Sequence, residues 1–406
     1  MSMKALVKKV PANPPEWYQG LGIIERQEPV VSAERTVKIK TVIGGICGTD
    51  VGIYLGKDAL ANAMASVPQA DVILGHEFCG RVVELHDTAR QPIAELLVSR
   101  KATTEPVGAY LQGKSAEELA SDPNLTEFLS KNFYATAEMH FTCGTCLQCR
   151  GDQEHVCKNT IGKGMHEDGA FTDFMVIPAN RLVLLEGGEV PPEIISFMDA
   201  LGNAVHTAQS AKIEGSTVLI TGAGVQGLMS CAVAKMMGAD KIFVTDVASK
   251  DPSAVDKFSM AKKLGADFTF DVGTPEGIEK LYQTIQAHTD NTGVDVVFEM
   301  SGHYGAYPTL LQNIRMGGTL LLLGLPAGKF ELDFSKEIIF KGLTVKGIYG
   351  RRIFETWELM RQLLVNGLSQ KLIQSGIITH QLPLEKFDEG FQALITGRAI
   401  KVLLKP

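Results

Sequence analysis

Apolar residues fall in short runs along the first part of the chain and in a strand-helix alternation along the second. Residues 4–9 and 36–43 cluster or alternate apolar positions as strands do, and Pro11, Pro14, Pro15 and Pro29 break the chain between them. Residues 80–85 read as a further strand, so the N-terminal region leans to β. From about 86 to 137 the texture turns polar, and Ser115-Ala116-Glu117-Glu118-Leu119 has the form of a capped helix start. Asp122-Pro123 interrupts that helix and 124–133 forms another, which together predict an inserted helical lobe whose role as lid, oligomer contact or decoration stays open. After a turn at 162–169, residues 170–177 return to a strand pattern.

A second domain starts near Pro191-Pro192. Strand patterns at Thr217–Thr221, 242–245, Phe268–Asp271, Val294–Glu299, 319–324 and 343–349 are separated by helical patterns, which predicts a doubly wound parallel sheet. A helix over 353–365 is expected to stop at Gly367, and 377–404 is expected to return to the first domain. The expected division is therefore 1–190, 191–345 and 346–406.

Composition narrows the class. The 406 residues suit two domains, and 45% hydrophobic content supplies two cores. A net charge of −7 without a basic stripe argues against nucleic-acid or anionic-membrane partners. No apolar run approaches a membrane span and residues 1–10 lack a secretory core, so a cytoplasmic protein is expected. Seven cysteines, four of them within one short segment, fit metal binding better than a disulfide framework. Cys79 and Cys231 lie among apolar neighbours and read as core.

Three constellations carry chemistry. Gly45-Ile46-Cys47-Gly48-Thr49-Asp50 follows the run 37–43 on a glycine-hinged turn, and taken alone it is equally a tight turn with a buried cysteine. With Gly75-His76-Glu77 on a second strand of the same sheet, it offers thiolate, imidazole and carboxylate as a zinc-type ligand set, and Thr49 is a hydroxyl able to carry a proton. Cys143, Cys146, Cys149 and Cys157 can close a tetrahedral shell around a structural zinc, with an iron–sulfur cluster as the competing use of the same ligands. His155 inside that loop reads as a surface residue, and His166, Glu167 and Asp168 as a solvated turn. Gly222-Ala223-Gly224-Val225-Gln226-Gly227 joins a strand to a helix, with Asp246 ending the next strand about twenty residues on; this is the pattern of a dinucleotide site. Asp246 suits the ribose hydroxyls of NAD and repels the phosphate of NADP, a preference that Lys250 softens.

These motifs, in this order, make the chain resemble the zinc-dependent medium-chain alcohol dehydrogenases over nearly its whole length except the insertion. The segments 201–207 and 346–351, together with Phe354-Glu355-Thr356-Trp357 and 377–380, are similar to the L-threonine 3-dehydrogenase branch. The resemblance implies a GroES-like catalytic domain beside a Rossmann domain, a catalytic zinc on Cys47, His76 and Glu77, and a second, structural zinc. It further implies that Asp199 completes the metal shell or relays protons, that Thr49 begins the relay, and that Gln226, Asp246, Leu323, Gly324, Leu325, Ile348 and Tyr349 contact NAD. His140 matches a substrate-pocket histidine, with a plain strand-end histidine as the rival reading. Relatives carry a histidine where this chain has Gly52, and the insertion displaces the segment after the Gly-His-Glu strand. The implied reaction is NAD-dependent oxidation of a secondary alcohol with a neighbouring polar group, with a polyol, an inositol or butanediol as alternative substrates, in a homo-oligomer. A nucleotide-binding protein without catalysis is the rival from another class, and it has no need of an open zinc site.

Overall fold

Two sheets organise the chain, and the computed structural model describes residues 2–8, 20–56, 71–100 and 102–406. The proline breaks at Pro11, Pro14 and Pro15 lie outside the described residues. The first domain is built on a seven-stranded, mostly antiparallel sheet with strands in the order Leu182–Glu186, Phe133–Ala137, Glu77–Leu85, Thr36–Gly45, Lys401–Lys405 and Ile378–Pro383, and Phe174–Pro178 also pairs with Thr36–Gly45. The two last strands in the chain thus sit inside the first domain's sheet. Strand Ser2–Lys8 pairs antiparallel with Leu21–Gln27 in a smaller sheet beside it.

The second sheet has six strands in the order Phe268–Asp271, Lys241–Asp246, Thr217–Thr221, Val294–Glu299, Ile314–Leu322 and Thr344–Gly347, every pair parallel. Each strand feeds a helix that covers the sheet, which is why their buried positions read as continuous apolar runs rather than alternating ones. The fifth strand begins earlier than the expected 319, because Ile314 opposite Val294 opens it before a register shift. The sixth ends at Gly347, so the sheet extends two residues past the expected boundary at 345. The helix Glu355–Leu363 does break at Gly367, whose φ is +115°, but a second helix, Ser369–Ser375, resumes at once instead of the chain leaving the layer.

Residues 86–132 form a helical layer of Asp87–Val98, Glu105–Leu111, Ala116–Ser121 and Leu125–Asn132, and Phe133–Ala137 already belongs to the sheet. The capping box read at Ser115 is present, with Glu118 N–H donating to Ser115 Oγ at 3.2 Å and Ser115 N–H to Glu118 at 2.7 Å. Ile93, Leu97, Leu125 and Leu129 pack against Val37, Ile39, Val82 and Leu184, so the layer's apolar face is spent on the sheet. Arg90 Nε ties two of the helices by donating to the Ala120 carbonyl at 2.6 Å.

The layer is pinned where its second helix starts by Glu186, which is buried and accepts from Thr103 N–H at 2.9 Å, Thr104 N–H at 2.9 Å and Thr104 Oγ1 at 2.8 Å. Burial works to raise this carboxyl's pKa, but the Thr103 and Thr104 donors win and hold it below its ordinary value. A depressed carboxylate stabilises the fold above its unfolded value, and that contribution is lost as pH falls through the folded one. Glu186→Gln should therefore cost about 1–3 kcal/mol at neutral pH, since a charged acceptor of three donors is replaced by a neutral one. Urea unfolding should show that difference shrinking below pH 4, and amide exchange should show lost protection at residues 103–111. An unchanged exchange pattern would mean that the pin is dispensable.

Candidate active site

Cys47 stands where strand Thr36–Gly45 gives way to helix Gly48–Tyr54, and it caps that helix. The expected tight turn is thus a helix start. The Cys47 N–H donates to Asp50 Oδ2 at 2.8 Å, which satisfies an amide that the strand has released and the helix cannot use. Strand Thr36–Gly45 runs antiparallel to Glu77–Leu85 with Gly45 opposite Glu77, so the residues after Gly45 and those just before Glu77 meet at one end of the sheet. As a result, one donor atom each of Cys47, His76 and Glu77 lies within 4.8 Å of the other two.

The surroundings fit a bound cation. Glu77 is fully buried; its Oε2 is paired with Lys401, and its Oε1 has no hydrogen-bond partner among the described residues. A buried carboxylate oxygen left without a partner is costly, and a metal ion bound by thiolate, imidazole and carboxylate would satisfy it. His76 Nδ1 lies 3.6 Å from Asp50 Oδ1, too long for a hydrogen bond but close enough for the carboxylate's charge to act on the ring. Burial lowers the His76 pKa, but Asp50 and the Cys47 sulfur outweigh it and raise it well above its ordinary value. Burial pushes Asp50 itself up to about 6, with His76 and the Cys47 N–H pulling the other way. Such a cluster is electron-rich and short of a cation.

Asp199 stands outside that trio. Its Oδ1 is 3.9 Å from His76 Nε2, and its Oδ2 pairs with Arg351. Arg351 is buried and also donates to Glu138 through Nε at 2.9 Å and Nη2 at 2.6 Å and to the Asp199 carbonyl at 3.0 Å, while His140 Nδ1, 2.8 Å from Nη2, lies 2.9 Å from Glu138 Oε1. Trp357 Nε1 completes the shell of Glu138 at 2.8 Å. Burial would raise the Glu138 pKa, but Arg351 and His140 hold it well below the usual carboxylate range. Glu138, His140 and Asp199 converge closely enough to hold a metal ion, but the guanidinium already fills that position. Because these partners come from the first domain, from helix Met198–Gln209 and from the segments after the second sheet, the network also joins the two domains. Arg351→Met should leave Glu138 and Asp199 buried without a counter-charge and cost about 3–5 kcal/mol in urea unfolding. A loss below about 1 kcal/mol would mean that the carboxylates find water instead.

The four lobe cysteines meet as expected. Cys146 Sγ is 3.4 Å from Cys149 Sγ and 3.8 Å from Cys157 Sγ, and Cys157 Sγ is 3.6 Å from Cys143 Sγ. A tetrahedral ion with sulfur bonds of about 2.3 Å requires edges of about 3.8 Å, so the spacing fits one zinc and is too tight to span a multi-iron cluster. Backbone N–H groups of Cys146 and Asn159 point at these sulfurs, and hydrogen bonds from Thr145, with that from Cys146, lower the Cys143 thiol to about 5. His155 is not a plain surface residue; its ring packs edge-on against His206 at 5.3 Å. His166 and Asp168 do serve the turn, accepting from Gly162 N–H at 3.0 Å and Ile73 N–H at 2.9 Å. Cys79 and Cys231 are fully buried, as read from their neighbours.

At the end of the parallel sheet where the strand order reverses, Gly222 takes a φ of +93° and Gly224 caps helix Val225–Met236. A side chain on Gly227 would overlap the Gly222 carbonyl, so the helix starts tight against the turn and leaves its N–H groups facing the crevice. Asp246 Oδ2 accepts from Ala223 N–H at 2.7 Å and faces Lys257 Nζ at 3.3 Å; Lys257, rather than Lys250, is thus its basic neighbour. Gln226 is turned to the Ala200 carbonyl at 3.2 Å. Leu323, Gly324 and Leu325 follow strand Ile314–Leu322, and Leu325 is 91% exposed. Ile348 is packed into the main core, which leaves only its backbone for a ligand, whereas exposed Tyr349 has its ring 6.3 Å from that of His140. Thr49 is half-buried on the first turn after Cys47, and Gly52 lies buried on the next. The roles of Glu138, Lys401, Trp357, Asp50 and Arg351 emerge only on folding; of the five, only Asp50, three residues from Cys47, carries a local spacing signal.

A Cys-His-Glu donor set beside a doubly wound parallel sheet defines the class: the chain belongs to the zinc-dependent medium-chain alcohol dehydrogenase family and is an oxidoreductase. Residues 33–117 match the alcohol dehydrogenase GroES-like domain and residues 226–366 the zinc-binding dehydrogenase family. Within that class its relatives include the L-threonine 3-dehydrogenase of Shewanella frigidimarina, 35% identical over 402 residues and 99% of each chain. That of Vibrio parahaemolyticus is 35% identical over 404 residues, 100% of this chain and 99% of its own. Similar solved structures include an alcohol dehydrogenase of Thermotoga maritima, with a TM-score of 0.78 at 22% identity over 100% of both chains. The 2R,3R-butanediol dehydrogenase of Bacillus subtilis shares the same fold, with a TM-score of 0.74 at 22% identity over 100% of this chain and 99% of its own.

Proposed function

We propose that the protein is an NAD-dependent dehydrogenase that oxidises the secondary hydroxyl of L-threonine or a close analogue. The observation that carries the chemistry is the convergence of Cys47, His76 and Glu77 with a buried, unpartnered Glu77 Oε1. Full-length identity to enzymes named for L-threonine supports the substrate. When bound, the zinc would supply a Lewis acid for the substrate hydroxyl and NAD an acceptor for its hydride. Everything else falls to the chain's own residues. Cys47, His76 and Glu77 would hold the metal, and the Asp50 carboxylate faces the His76 ring at 3.6 Å. Thr49, half-buried one helical step past Cys47, takes the proton outward, and Gly52 gives that path no side-chain continuation on its own helix. Asp199, paired with Arg351, stands beside His76. His140, held by Glu138 and Arg351 with its side chain 26% exposed, faces the crevice near Tyr349 and meets the substrate's polar neighbour. The Gly222–Gly227 turn and Asp246 hold the dinucleotide, and the carboxylate favours the ribose hydroxyls of NAD over a phosphate. A reducing compartment, the cytoplasm, suits sites built on five thiolates.

Turnover on a panel of L-threonine, 2,3-butanediol, sorbitol and inositols with NAD tests the substrate; threonine should give the highest kcat/KM, and a polyol or diol in first place would move the assignment to those alternatives. Cys47→Ala should reduce turnover by at least about 10³-fold while leaving NAD binding within about twofold, because it removes a ligand for the Lewis acid and no part of the nucleotide site. Full activity in that variant would end the scheme.

Strand Thr344–Gly347 is an exposed sheet edge that carries Val345, with exposed Met316, Ile339 and Phe340 on the neighbouring segments. An apolar open edge invites a second strand, and we propose that two copies pair there about a twofold axis. Sedimentation should give a dimer or a multiple of it at micromolar concentration; a monomer would exclude this assembly.

A further inference from the structure

We infer that Lys401 is a positioning residue that restricts Glu77 to one ligating oxygen and so keeps the metal site open. This rests on the reading of Cys47, His76 and Glu77 as the metal ligands. Lys401 lies on the last strand, more than 300 residues from Glu77 in sequence, and is 1% exposed. Its ammonium makes two contacts that matter: an ion pair with Glu77 Oε2 and a hydrogen bond to the Ile46 carbonyl at 2.9 Å. Ile46 is the residue before Cys47, so a single cation bridges the two segments that carry the ligands. The strand register explains how it gets there, because Leu403 lies opposite Gly45 and Gly45 lies opposite Glu77 on its other side. Gly45 is part of the arrangement. A side chain at 45 would overlap Glu77 Oε2 and come within 3.1 Å of Lys401 Cε, so the pair lies flat on a strand that has been left bare for it.

Donor number decides the consequence. A carboxylate near a dication ligates through one oxygen or both, and zinc accepts four or five donors. Here Oε2 is occupied by a buried ammonium, and only Oε1 remains for the metal. With Cys47 and His76 that makes three protein donors, the number that leaves a position for substrate. If Lys401 loses its charge, Oε2 is released, Glu77 can chelate, and the open position fills. Loss of the positive charge also removes a repulsion on the metal. Both effects predict tighter metal binding together with lower activity, the opposite of what a merely structural lysine would give when removed.

The test uses the whole zinc-loaded protein and its cobalt-substituted form. In wild type, a chelator should remove one zinc per chain faster than the four-cysteine zinc; only one zinc in all would refute the underlying metal-site reading, separately from the Lys401 proposal. Lys401→Met, which keeps the aliphatic stem, and Lys401→Gln, which keeps a donor without the charge, should each release the removable metal about tenfold or more slowly. Their cobalt forms should absorb more weakly in the visible, as a fifth donor joins. Lys401→Arg, which retains the charge, should release metal at the wild-type rate. Unchanged or faster release in the Met or Gln variant would overturn the proposal, as would an unaltered cobalt spectrum.

Discussion

The structure depends on a constraint of electrostatics: several carboxylates and a thiol are gathered at one end of the first sheet, out of water, where each unpaired charge would cost several kcal/mol. Asp50, Glu77, Glu138 and Asp199 are all buried, and each has a definite answer to that cost. Asp50 receives the Cys47 N–H and faces His76, Glu77 takes Lys401, and Glu138 and Asp199 share Arg351. Among the described residues, Glu77 Oε1 and Asp50 Oδ1 are left without a hydrogen-bond partner, and the former lies in a carboxylate, thiol and imidazole set that calls for a metal ion.

The same arrangement ties the two domains together. Arg351 comes just after the last strand of the parallel sheet, while Glu138 and His140 come from the antiparallel domain, and Asp199 and Asn203 lie on the helix between them. A guanidinium with five donors in a fixed plane can satisfy two carboxylates from different elements and a backbone carbonyl at once. The junction that carries the crevice is therefore also the place where relative domain position is set.

The helical layer contributes differently. Its apolar residues pack on the sheet and the start of its second helix is pinned by Glu186, so it thickens the first domain as an added layer. Strands Thr36–Gly45 and Glu77–Leu85 pair through two register shifts, and Gly45 still lies opposite Glu77, which keeps Cys47 and His76 together.

Much of this was legible in the chain itself, because spacing decides it. The alternation of strands and helices, the glycine turn before a helix, the capping box at Ser115 and the four close cysteines are all local patterns, and local geometry is set by them directly. Cys47 and His76-Glu77 could be paired from the chain because two adjacent strands carry them. The partners that make those groups workable could not. Lys401, Arg351, Glu138 and Trp357 sit far from the site in sequence and have the types of ordinary surface or core residues; only strand order and domain packing bring them together. Gly367 and His155 illustrate the same limit, since a glycine permits a break without deciding whether the helix resumes beyond it, and a histidine's exposure depends on whether another element, here His206, packs over it. Sequence by itself determined which donors exist and how they are spaced along the chain. Tertiary structure decided which buried charge neutralises which, because that depends on distances the chain closes only on folding.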